Sequence, residues 1–229
     1  MPKQRRETVQ IPLDLGHRTA QGRKDFIAAP CNENALLWID RWPDWPATGL
    51  SFYGSPGCGK THLAEIWRVR SGATKVAAMA LRGRDAAEII SNAPALVIEN
   101  INADVPEQTL LHLYNLIGER NGHILFTGLE APGRMGFRLP DLLSRLRAMP
   151  AISIADPDDM VLSAVMRKMF EDRQLLIGEE IISFLLARME RSFSAARSIA
   201  AEIDRLALAE QRQITIPLAR LALAEAEGR

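Results

Sequence analysis

Cysteine is almost missing from this chain: among its 229 residues only Cys31 and Cys58 occur, in different segments. A disulfide framework is thereby excluded and a reducing compartment expected. Net charge is missing too, since 28 Lys and Arg balance 28 Asp and Glu. No global attraction to nucleic acid or to an acidic membrane surface follows, which leaves only local patches. No uncharged apolar run is long enough to span a bilayer, and the basic start MPKQRR is not followed by the apolar stretch of a secretory leader. The expected location is cytoplasmic, with no membrane partner. The histidines, His17, His62, His112 and His123, stand apart without metal-ligand spacing, so no zinc site is read, and no Ser/His/Asp or Cys/His constellation is present.

What the chain does have is Gly54–Thr61, GSPGCGKT, which fits the phosphate-loop pattern G-x-x-x-x-G-K-[ST] at every fixed position. The apolar run Leu50–Tyr53 precedes it and a helix is predicted from about Thr61 to Ser71, stopped by Gly72. Gly57 and Gly59 let the backbone curl so that successive N–H groups point at a phosphate, helped by the positive end of the helix. Lys60 is placed to meet the β and γ oxygens, and the Thr61 hydroxyl to hold Mg²⁺. Cys58 sits where such a loop uses its backbone, so its thiol is read as incidental.

Strand and helix signals alternate onward from this loop. Strands are expected at Lys75–Leu81, Ala95–Ile98, His123–Thr127 and Ala151–Ile154. Helices are expected at Asp85–Ser91, at Gln108–Arg120 and from Pro140, the last with Leu142, Leu143 and Leu146 inward. With Leu50–Tyr53 this makes a parallel five-stranded α/β sheet covered on both faces. The fully apolar run Ala95–Ile98 ends at Glu99 and Asn100, the layout of a Walker B strand whose terminal carboxylate faces the phosphate loop. Beyond Asp158 the pattern is helical only, with stretches at Met160–Asp172, Gly178–Met189 and Ser194–Glu210 and another after Pro217. The expected division is a tail over 1–24, a nucleotide-binding α/β domain over 25–156 and a small all-helical lid over 157–229.

In the tail, Gln10, Ile11, Pro12, Leu13, Asp14 and Leu15 put apolar side chains on a polar segment. They either pack back on the domain or form a linear peptide for another protein's groove. QIPLDL resembles the bacterial sliding-clamp-binding motif, in which Gln10 would contact the pocket rim while Ile11, Leu13 and Leu15 supply its apolar part. In the loop RWPDWPATG, Trp42 and Trp45 are either packing aromatics or stacking platforms for single-stranded nucleic acid, the first reading being preferred.

A phosphate-loop module followed by a helical lid is the layout of the AAA+ ATPases. GSPGCGKTHL resembles the corresponding stretch of the replication initiator DnaA, including His62 and Leu63 after the Walker threonine. LVIENI resembles its Walker B, ILFTGLEAP its sensor 1 strand, and LLSRLRAMPAISIADPDD its arginine-finger segment and the run into the lid. These motifs cover most of residues 25–217. With the clamp peptide in front and no helix-turn-helix region behind, the chain resembles the Hda/HdaA family of DnaA-related regulators, which act from the sliding clamp to stimulate hydrolysis of DnaA-bound ATP.

The resemblance implies ADP or ATP with Mg²⁺ as ligands. As partners it implies DnaA, the β-subunit clamp of DNA polymerase III and, through the clamp, DNA; a homo-oligomer is left open. It assigns the nucleotide to Gly54, Ser55, Pro56, Gly57, Cys58, Gly59, Lys60, Thr61 and His62, with Phe26 and Ile27 against the adenine. Thr61 and Glu99 would serve Mg²⁺, Thr127 would be sensor 1, and Arg145 the arginine finger acting in trans. Two positions depart from the family pattern. Asn100 replaces the second Walker B carboxylate, and an amide cannot accept a proton from the attacking water, so binding with slow intrinsic hydrolysis is expected. The sensor 2 position holds Ser194, with Arg191 and Arg197 one turn to either side on nearly one helical face; Arg197 is carried as the nucleotide contact. The competing expectation is an autonomous AAA+ ATPase that loads a helicase or remodels another replication protein.

Overall fold

The computed structural model describes residues 27–90, 93–210 and 213–227. The peptide Gln10–Leu15 and Phe26 lie outside the described residues. The elements are α1 (Glu33–Arg41), β1 (Gly49–Tyr53), α2 (Lys60–Ser71), β2 (Thr74–Ala77), α3 (Ala86–Ile90), β3 (Ala95–Ile101), α4 (Glu107–Glu119), β4 (His123–Gly128), α5 (Pro140–Ala148) and β5 (Ala151–Ser153). Then come α6 (Asp159–Glu171), α7 (Glu179–Leu186), α8 (Phe193–Glu210) and α9 (Ile216–Glu227).

All five strands run parallel in the order β2-β3-β4-β1-β5. Parallel strands are joined by crossovers that lay helices on the sheet, so both faces must be apolar. In β3 this requirement is met residue by residue. Leu96 and Ile98 enter a core with Leu110, Leu113 and Tyr114 of α4 and Leu142 and Leu146 of α5. Ala95 and Val97 enter the opposite core, with Leu63, Ala64 and Trp67 of α2 and Ile39 of α1. Leu143 is only half-buried, so α5 presents a narrower apolar stripe than expected.

The strand expected over Lys75–Leu81 is half as long. After β2 the chain turns into a 3₁₀ segment, Ala78–Leu81. The reason lies in the uniform apolarity of Val76–Leu81, which carries no two-residue period. A three-residue turn puts Ala78 and Leu81 together in the core and leaves Met79 and Ala80 outside. Farther on, α6 to α9 pack around Leu162, Met166, Phe170, Leu185, Ile203 and Ala222 as a separate apolar cluster. Asp158 caps α6, its carboxylate accepting the Val161 N–H at 2.8 Å. Among the described residues no helix is long and apolar enough to cross a membrane.

The tryptophans are packing residues. Trp45 is buried and stacks on Trp67 with centroids 5.1 Å apart and planes 19° apart; its indole N–H donates to the Trp38 carbonyl at 2.8 Å. Trp42 meets Trp67 edge-on at 6.3 Å. His123 inserts edge-on against Trp45 at 5.3 Å and Trp42 at 6.3 Å. Burial in this apolar box holds its imidazole below the ordinary value. A depressed folded-state value means that the unfolded chain takes up the proton first. His123 therefore contributes stability above the unfolded value of about 6.5, and that contribution is lost as pH falls through the folded value. Urea midpoints measured from pH 7.5 down to 5.5 should fall, and fall less steeply in His123→Gln.

Candidate functional site

The loop between β1 and α2 takes the shape its glycines permit. Gly54, Gly57 and Gly59 have φ of 156°, 77° and 104°, the last two in the left-handed region where a side chain is strained. A Cβ on Gly54 would lie 2.3 Å from the Ile154 carbonyl oxygen, and one on Gly57 would lie 2.7 Å from Ser192 Cβ. The loop is thus pressed between the end of the sheet and the helical region. Lys60, buried at the start of α2, folds back: its Nζ donates to the carbonyls of Gly54 at 2.8 Å and Ser55 at 2.6 Å and lies 3.6 Å from Cys58 Sγ. A buried ammonium is thereby held at the centre of a ring of backbone.

Two further ties hold the loop. The Ser55 hydroxyl donates to Asp156, just after β5. The Phe193 N–H donates to the Gly57 carbonyl at 3.0 Å, while the Phe193 ring lies over Gly59. The first residue of α8 is therefore seated directly on the phosphate loop.

Between these elements lies an open cavity of about 880 Å³. Its lining includes Pro56, Gly57, Gly59, Lys60, Thr61 and His62 from the loop and α2, Asn100 from β3, Arg134 from the segment after β4, and Phe193, Ser194 and Arg197 from α8. A glycine-rich loop, a buried lysine and two arginines from other elements have the chemistry to receive a polyanion such as a nucleotide polyphosphate.

At the Walker B position β3 does not end at Ile98 as expected but continues to Ile101 past an irregularity in its register with β4. Asn100 has φ of 58°, a conformation asparagine tolerates better than most residues. Its N–H donates to the buried Thr127 hydroxyl at 3.1 Å. Thr127, expected as sensor 1, thus braces the Walker B backbone from the adjacent strand. The kink leaves Asn100 lining the cavity, whereas Glu99 pairs with Lys75 of β2 at 3.4 Å. The other Glu99 oxygen is buried without a hydrogen-bond partner.

This donor set fits Mg²⁺ poorly. Magnesium in nucleotide sites is held by one or two carboxylates together with phosphates and water, and here the one candidate carboxylate, Glu99, does not line the cavity and has one of its two oxygens facing an ammonium. Among the described residues no group of three His, Cys, Asp or Glu is arranged to hold a metal ion.

The remaining expected residues separate. Arg197 reaches the cavity, whereas Arg191 does not share its helical face: α8 begins only at Phe193, with the Ser192 hydroxyl accepting the Ala195 N–H at 3.1 Å. Arg191 instead forms a two-point pair with Asp159 of α6, at 2.8 and 3.0 Å, which lowers the carboxyl of Asp159 and raises the guanidinium. Ile27 does not line the cavity; its carbonyl accepts from the side-chain amide of buried Asn32 at 3.2 Å. Arg145 also stands outside it, exposed on the last turn of α5 with its guanidinium 5.7 Å from the Tyr114 ring centre. Sequence reasoning passed over Arg134, Asp156, Phe193 and Lys75. Asp156 lies in the LLSRLRAMPAISIADPDD stretch and Phe193 just before Ser194, but nothing in those patterns marks their side chains, and all four acquire their place from packing.

Residues 158–223 match the family described as Hda, lid domain. The fold superposes on domain III of the replication initiation protein DnaA from Thermotoga maritima with a TM-score of 0.77, 16% identity, and coverage of 90% of this chain and 96% of that one. AMPPCP-bound DnaA from Aquifex aeolicus gives 0.68 at 16% identity; 82% of this chain aligns, spanning 65% of the DnaA chain. The Thermotoga maritima RuvB Holliday junction branch migration motor gives 0.67 at 13%, covering 91% of this chain and 74% of that one. At these identities the structural likenesses establish the fold, a parallel α/β module followed by a helical region, as in these DnaA and RuvB structures.

Proposed function

We propose that this Hda- and DnaA-related AAA+ protein is a regulator of replication initiation that binds ADP or ATP and, from the sliding clamp, stimulates hydrolysis of DnaA-bound ATP by lending Arg145 in trans. The observation that carries the reading is Asn100 in the cavity at the place where hydrolysis needs a carboxylate. An amide cannot take the proton of an attacking water, so the chain's own nucleotide acts as a structural or regulatory ligand. Catalytic assistance is assigned to an arginine outside that cavity, exposed where a neighbouring protein can receive it. In this reading residues 25–156 bind nucleotide, 157–229 close over it, and Gln10, Ile11, Leu13 and Leu15 dock on the clamp.

Phosphate release from ATP-loaded DnaA, measured with this protein in the presence and absence of DNA-loaded clamp, tests the proposal. Stimulation that requires the clamp supports it. Repeated ATP turnover by the purified protein alone would instead favour an autonomous loader or remodeller. Gln10→Ala should weaken clamp capture by about fivefold, the loss of a polar contact worth about 1 kcal/mol, with nucleotide binding intact. Undiminished capture would return the peptide to a packing role.

A further inference from the structure

Magnesium normally does two things for a bound polyphosphate: it neutralises charge and it ties the phosphates to a protein carboxylate. The Lys75–Glu99 pair bears on both. Ala77 of β2 lies in register with Glu99 of β3, and Lys75 stands two residues earlier, on the same side of the sheet. The Glu99 side chain is only 15% exposed and that of Lys75 39%, so the ammonium is the more solvated partner of a partly buried ion pair. Lys75 also lines a small polar recess with Thr61, Glu65, Arg68 and Arg197, which shares Thr61, His62 and Arg197 with the nucleotide cavity. A divalent cation on Glu99 would have to displace this ammonium or sit beside it at a few ångströms, where like charges repel strongly.

The cavity is otherwise rich in fixed positive charge. Among its described lining residues Lys60, Arg134 and Arg197 face the single carboxylate Glu130. Among the described residues no carboxylate within ion-pair distance engages Arg134 or Arg197. Arg134 comes from the segment after β4 and Arg197 from α8, so two elements separated in sequence bring guanidinium groups to one space. Guanidinium retains its charge throughout the physiological range and suits phosphate oxygens.

We infer that this site binds nucleoside diphosphate with protein cations in place of Mg²⁺, Lys75 withholding Glu99 from the metal while Lys60, Arg134 and Arg197 supply the countercharge. The inference rests on the nucleotide-binding part of the proposed function and deepens it. Lys75 is a positioning residue, since it acts through Glu99.

The test is fluorescence anisotropy of ribose-labelled ADP on the full chain, titrated with MgCl₂ or with EDTA. Chelation should change the affinity of the unmodified protein by less than about threefold. Lys75→Met should bind labelled ADP at least about tenfold more tightly with MgCl₂ than with EDTA, because the freed carboxylate then gains from a metal partner and repels phosphate without one. Lys75→Arg, which keeps the charge, should behave as the unmodified protein. Circular dichroism melts verify that the variants fold. A tenfold or greater loss on chelation in the unmodified protein overturns the inference while leaving nucleotide binding intact, as does a Lys75→Met protein indifferent to Mg²⁺. Failure to bind labelled ADP under either condition overturns the nucleotide reading itself.

Discussion

Under the proposed function, replacing Arg145 by alanine should reduce stimulation of DnaA's ATP hydrolysis by about a thousandfold, the lower end of what an arginine supplied in trans contributes to phosphoryl transfer. Arg145 lies on the last turn of α5, a helix anchored by Leu142 and Leu146 in the core, so its backbone is rigidly placed. The guanidinium rests 5.7 Å from the Tyr114 ring centre, an exposed contact worth about 0.5–1 kcal/mol. Leaving that ring costs little beside the stabilisation available from charge on a transferring phosphoryl group in a site that excludes water. Because Arg145 does not line this chain's own cavity, labelled-ADP affinity should stay within about twofold and the fold should be unaffected. Lysine at this position should not rescue, since an ammonium lacks the planar fork that engages two oxygens at once. The readout is phosphate released from DnaA with clamp and DNA present. Stimulation retained by Arg145→Ala would remove the residue from the mechanism and leave the clamp dependence to be explained otherwise.

Lys60→Met should weaken ADP binding by at least about a hundredfold, equivalent to roughly 2.7 kcal/mol. Lys60 has two tasks. Its buried Nζ donates to the Gly54 and Ser55 carbonyls at 2.8 and 2.6 Å, which closes the loop from inside. It is also the cation of the loop itself on the cavity wall. Methionine removes the charge and leaves both carbonyls without this donor, and hydrogen bonds to charged groups contribute about 1.5–3 kcal/mol each. Arginine should fare no better, because its bulkier planar head must enter a ring closed around a single ammonium. Anisotropy with labelled ADP measures the loss. Affinity within tenfold of the unmodified protein would mean that the cavity does not hold phosphate at this loop.

The family resemblance, the alternation of strand and helix and the phosphate loop are all legible in the sequence. They depend on short contiguous patterns, such as the apolar run ahead of GSPGCGKT and the glycines within it. The strand expected over Lys75–Leu81 is shorter because the wholly apolar part, Val76–Leu81, does not distinguish a strand from a 3₁₀ turn that buries Ala78 and Leu81 together. The pairing of Arg191 with Arg197 was misjudged because the start of α8 depends on a local cap at Ser192. Ile27 is linked to adenine by resemblance alone, and the structure adds that its backbone carbonyl is held by the amide of buried Asn32.

By itself the sequence determined that the chain would build a parallel α/β sheet around a phosphate loop, with Asn100 where a carboxylate was expected, because residue identity and near-neighbour spacing suffice for those statements. Only the tertiary structure decided what surrounds the loop. Ser55 and Asp156 are 101 positions apart yet hydrogen-bonded, Phe193 is seated on Gly57, and Lys75 faces Glu99 because β2 lies beside β3. Such meetings are set by strand order and by the docking of α8 on the phosphate loop, and neither has a signature within any one segment of the chain.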